Sequence, residues 1–76
     1  MNNERRRKIR TILSTLSDCA DEVDTLKDAE EEAMDGVPEA LQDTDRYSVM
    51  ENAVDCLSDA GDAIGEAIQY LEDAIG

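Results

Sequence analysis

From Tyr47 to the end of the chain, apolar residues return every seven positions in three parallel rows. Met50, Leu57, Ile64 and Leu71 form one row, Tyr47, Val54, Gly61, Ile68 and Ile75 a second, and Ala53, Ala60, Ala67 and Ala74 a third. A strand repeats every two residues, so a sustained period of seven points to a helix. Three rows in seven make a face wider than a two-stranded coiled-coil seam and typical of a helical bundle.

The first half carries a matching pattern. Ile9, Ile12, Leu16, Cys19, Val23 and Leu26 alternate three- and four-residue steps, and Leu13 and Ala20 widen the stripe to one side. The expected helix runs from about residue 3 to 34, where Gly36 offers a left-handed cap and Pro38 forbids continuation. A connector over about 35–44 follows, in which "PEALQ" can form a short helical turn with Leu41 over the end of the fold. The second helix covers about 45–75, with Asp43 or Thr44 as N-cap and the Ser48 to Glu51 capping box as the competing start. Each helix measures roughly 46 Å, and the connector is long enough to reverse the chain.

These elements define an all-α fold, one domain over residues 1–76: an antiparallel two-helix hairpin with long matched helices. A hairpin has two apolar faces and only its own helices to cover them, so two hairpins are expected to pair into a four-helix bundle. Ile12, Leu16, Val23, Leu57, Ile64, Ile68 and Leu71 are the candidate self-association residues. A monomer that completes its core on a target is the alternative.

Charge narrows the function. Twenty acidic side chains face seven basic ones, a net of −13, and there is no histidine. The first ten residues hold five bases (Arg5, Arg6, Arg7, Lys8, Arg10) against Glu4, net +4, so the remaining 66 carry −17. Such a field resists self-association and direct DNA binding, and it steers basic surfaces inward at low ionic strength. The basic start of one helix and the acidic end of the other (Glu66, Glu72, Asp73) each oppose their own helix dipole. An antiparallel hairpin brings them together, which leads us to expect cross-helix charge pairing there; a basic arm for nucleic acid or lipid is the competing reading.

The carboxylates fall in rows. Asp21, Asp24, Asp28, Glu31 and Asp35 line one face of the first helix, and Asp55, Asp59, Asp62, Glu66 and Asp73 one face of the second. One charge per 3.5 residues is about one per 5 Å of helix, and two rows give one per about 2.6 Å, against about 1.7 Å for duplex DNA. Like charges at helical spacing weaken a helix, and few lysines relieve them. These ten residues are the candidate partner-binding set; a plain solvated face is the bland alternative.

Other chemistry lacks its residues. With no histidine, no glycine-rich phosphate loop and no cleft between two helices, neither enzyme nor cofactor is expected. Asp43-Thr44-Asp45 supplies two positions of a calcium loop without the closing glutamate, so no metal site is expected. Cys19 reads as a small hydrophobe on the apolar face, and its offset from Cys56 argues against a disulfide. Reduced thiols and the absence of a signal-peptide pattern or an apolar span point to the cytoplasm, with no membrane partner.

The opening "MNNERRRKIRTILSTL", the connector "GVPEALQDTDRY" and the alanine-rich repeat resemble, over nearly the whole chain, small acidic helical proteins encoded by phages and mobile elements of Gram-positive bacteria. Size and acidity are similar to those of phage anti-defence proteins, including anti-CRISPR proteins, several of which imitate nucleic acid. The resemblance implies an inhibitor that occupies a basic nucleic-acid-binding protein such as a CRISPR or other defence nuclease. A self-assembling structural protein is the alternative reading.

Overall fold

The computed structural model describes all 76 residues and is an antiparallel pair of long helices. Helix α1 spans Asn3–Asp35, a 3-10 turn spans Glu39–Leu41, and helix α2 spans Asp45–Ile75. The Cα trace measures 59 × 14 × 14 Å, a rod two helices wide.

Both helices start on side-chain caps. Arg5 N–H donates to Asn2 Oδ1 at 2.8 Å, and Tyr47 N–H donates to Thr44 Oγ1 at 3.3 Å. Thr44 therefore wins over Asp43 and Ser48: its backbone is extended (φ −85°, ψ 157°) and its hydroxyl also donates to Leu41 O at 2.8 Å, tying the connector to the cap. Thr44→Ala is expected to lower stability by about 1 kcal/mol, read as a shift in the urea midpoint of the helical signal; an unchanged midpoint would refute the assignment.

The left-handed cap expected at Gly36 does not form. Gly36 sits at φ −79°, ψ −8°, ordinary right-handed backbone. Gly36 N–H closes the last α turn on Glu32 O at 3.1 Å, and Val37 N–H tightens to Met34 O at 3.0 Å. Pro38, without an N–H, then stops the helix.

Half-buried residues trace the contact between the helices. On α1 they are Arg6, Ile9, Leu13, Leu16, Ala20, Val23, Lys27, Glu30 and Met34; on α2 Tyr47, Met50, Val54, Leu57, Gly61, Ile64, Ile68, Leu71 and Ile75, with Ala53, Ser58 and Ala67 beside them. Both series alternate steps of three and four throughout, the a and d positions of a heptad (a at Arg6 on α1 and at Tyr47 on α2). The register is anchored where Val23 Cγ1 lies 3.9 Å from the place of a Gly61 β-carbon. Counting outward from that layer sets Leu16 level with Ile68, Ala20 with Ile64 and Met34 with Met50. Cys19 then lies near the level of Gly65, well along the rod from Cys56, and both cysteines are free and exposed.

The seam of α1 thus differs from the expected stripe. Two rows could have completed it beside Ile9, Leu16 and Val23, and a two-helix contact covers only one of them. The hairpin uses Leu13, Ala20, Lys27 and Met34, leaving Ile12, Cys19 and Leu26 exposed.

No residue of the chain is buried. The lone hairpin holds a seam rather than a core, and its glycines weaken α2 without a steric reason. A β-carbon at Gly61 meets only Val23 at 3.9 Å, ordinary van der Waals distance, and one at Gly65 meets nothing within 4 Å. Since mid-helix glycine costs about 1 kcal/mol relative to alanine, Gly61→Ala with Gly65→Ala should stabilise by about 1.5–2 kcal/mol and raise the melting temperature by roughly 10 °C. A thermal melt with an unchanged or lower midpoint would show that these glycines serve the fold.

Candidate interaction surfaces

Heptad geometry gives the rod two unlike sides, because in an antiparallel pair the e rows of both helices flank the seam on one side and the g rows on the other. On the first side, e positions Ser17, Asp24 and Glu31 of α1 meet Glu51, Ser58, Gly65 and Glu72 of α2, with the b rows outside them. On the second, Ile12, Cys19, Leu26 and Ala33 meet the alanine row, and the c row of Val49, Cys56, Ala63 and Tyr70 continues outward on α2.

Acids are segregated accordingly. Sixteen of the twenty occupy e, b and f positions; Glu30 sits in the seam, Glu39 and Asp43 in the connector, and Glu22 alone on the g and c rows. Twenty carboxylates along 59 Å average about one per 3 Å of rod, within a factor of two of the spacing of about 1.7 Å per charge in duplex DNA.

All ten candidate carboxylates are exposed. The fold joins Asp21, Asp24, Asp28, Glu31 and Asp35 of α1 with Asp55 and Asp62 of α2 on the e/b side. Asp59, Glu66 and Asp73, at f positions, lie on the outer back of α2, so the single α2 row read from the sequence straddles two surfaces. Between the helices the e/b side holds a shallow depression of about 310 Å³, where Asp21, Asp24 and Asp62 surround Ser58, Gly61 and Lys27. Its opening comes from the small residues Ser58 at an e position and Gly61 at an a position, neither of which belongs to a charge row.

These carboxylates have almost no internal counter-charge. The one ion pair within 4 Å is Lys8 to Glu4, 3.7 Å, on exposed side chains one turn apart. Cross-helix pairing expected between the basic start and Glu66, Glu72 and Asp73 is absent; an exposed pair gains little and costs side-chain freedom. Asp73 instead accepts from Gln69 Nε2 at 3.0 Å on its own helix.

Of the candidate self-association residues, Leu16, Val23, Leu57, Ile64, Ile68 and Leu71 are half-buried in the intramolecular seam, and Ile12 is 47% exposed on the g side. That side ends at the turn in an apolar depression of about 560 Å³ lined by Ala33, Val37, Pro38, Leu41, Tyr47 and Met50. Leu41, expected to cover this end, is 53% exposed. No helix is long and apolar enough to cross a membrane, and no group of three or more His, Cys, Asp or Glu is placed to hold a metal ion. No family model, curated protein or solved structure matches the chain.

Proposed function

We propose that the protein is a non-enzymatic inhibitor that sets a DNA-like acidic rod into the basic nucleic-acid-binding surface of another protein, acting as a dimer of hairpins in a four-helix bundle. The segregation of sixteen carboxylates onto one continuous part of the rod, with almost no internal cation, carries this reading. A surface that only needed solubility would gain from interleaved lysines, which lower repulsion at i,i+4 spacing. Here the repulsion is left in place, and a basic groove relieves it while exchanging its nucleic acid for carboxylates.

The target class is a CRISPR or other defence nuclease, whose guide and DNA channels are lined with Lys and Arg, and the place of action is the bacterial cytoplasm. The resemblance to small acidic proteins of phages and mobile elements supports that choice. The exposed apolar side favours a second reading, a self-assembling structural bundle whose acids are a solvated coat.

Salt separates the two. A tagged chain incubated with a lysate containing defence nucleases should retain one basic nucleic-acid-binding protein at low salt, release it at high salt and lose it to added DNA or guide RNA. Recovery of the bait alone, as a multimer stable at both salts, would establish the structural reading instead.

A further inference from the structure

The seam of α1 takes in a charged residue and leaves an apolar row outside. It takes in Lys27, half-buried, while the neighbouring Leu26 stands 58% exposed; Ile12 on the same row is 47% exposed, and Val49 and Tyr70 across the hairpin 68% and 72%. These residues form one continuous side rather than scattered points. Its g and c positions hold a single acid, Glu22, in a chain with twenty. A largely apolar side with one acid, its cations Arg5, Lys8 and Arg46 confined to the two ends, is shaped for burial on an otherwise acidic rod.

We infer that this side is the dimer surface, and that it pairs with the same side of a second copy in antiparallel orientation, the turn of one hairpin beside the termini of the other. The inference rests on the dimer proposed above and is independent of the acidic target. Length and width suffice: a strip about 45 Å by about 16 Å buries about 700 Å² per copy, about 1,400 Å² in all, within the standard range for a specific interface. A self-complementary patch is also what a two-fold axis requires.

Charge selects the orientation. Residues 1–23 and 61–76, the terminal half of the rod, carry five bases and eight acids, net −3; residues 24–60, the turn half, carry two bases and twelve acids, net −10. Parallel pairing would set the two −10 halves side by side. Antiparallel pairing sets each against a −3 half and brings the basic start of α1 near the acidic end of the other copy's α1. Arg6 Nε, shielded and without an acceptor in the lone hairpin, lies at that end. The small alanine row allows close approach at the middle of the interface.

Mass, thiol access and label distance test this in turn. Sedimentation should give twice 8.4 kDa, with the dimer tightening as salt rises. Under dimer conditions Cys19 and Cys56, both on this side, should alkylate about ten times more slowly or less than at dissociating dilution. Leu26→Glu should weaken the dimer about 100-fold or more, while Thr25→Glu, one residue away on the outer back, should not. Should Leu26→Glu lose its helical signal, Leu26→Ala with retained helix and weakened dimer carries the same point. With Cys19→Ala, Cys56→Ala and a spin label on Gln42→Cys, the two labels should separate toward the 59 Å length of the rod. A monomer at all concentrations would overturn the dimer itself and assign the side to a different protein. A dimer with freely reactive thiols would overturn only the surface, and labels within about 25 Å, two helix diameters, only the orientation.

Discussion

Neutralising Asp55, Asp59, Asp62 and Glu66 together, with Asn at the aspartates and Gln at the glutamate, is expected to weaken partner binding by about 100- to 1,000-fold while leaving the helices intact. All four are exposed and none takes part in a cap or an ion pair, so nothing in the fold depends on their charge. Removing like charges at helical spacing should, if anything, stabilise α2 by a few tenths of a kcal/mol per pair. Binding and stability therefore move in opposite directions, which a merely misfolded variant cannot imitate. Halving the set adds resolution. Asp55 and Asp62 belong to the e/b side with the α1 carboxylates, and Asp59 and Glu66 to the outer back of α2. Titration of the captured protein with each double variant shows which surface makes the contact; equal affinity of the quadruple variant and the native chain would remove the acidic rod from the mechanism.

The second large effect concerns the seam. Leu16→Asp places a carboxylate in the layer it shares with Ile68, and a charge there loses both apolar contact and solvation, about 3 kcal/mol or more. A chain of this size has about 3–5 kcal/mol in total, so most of the helical signal at 222 nm should disappear at 25 °C. Asn52→Asp adds the same charge at an exposed f position and should leave the signal within a few per cent of native. If Leu16→Asp stays as helical as Asn52→Asp, α1 and α2 do not depend on each other in the way the hairpin requires.

Much of this fold is written in punctuation and period. Pro38 and Thr44 bound the connector, two of the three seven-residue rows of α2 mark its inner face, and "PEALQ" supplies the 3-10 turn; each signal is local, so each survives in one dimension. The rotation of α1 is a different kind of fact. Leu13 and Ala20 compete with Ile12 and Cys19 for the same seam, and the outcome depends on which row of α2 lies opposite, which no window of α1 contains. For the same reason the carboxylate rows were legible as rows but not as surfaces: Asp62 and Glu66 are neighbours along α2, yet a rotation of one heptad place puts one beside the groove and the other behind it. The groove around Ser58 and Gly61 is not legible in the sequence because it is made by small side chains, which carry no charge or hydropathy signal.

Nucleic-acid mimicry requires that the rod and nucleic acid compete for one surface. Once the retained protein is identified, its affinity for the hairpin should be measured across a series of salt concentrations, alone and with saturating DNA or guide RNA. Competition of this kind gives mutually exclusive binding, with an affinity that falls steeply as salt rises, as for the nucleic acid the rod replaces. A ternary complex of target, nucleic acid and hairpin, or an affinity indifferent to salt, would contradict it.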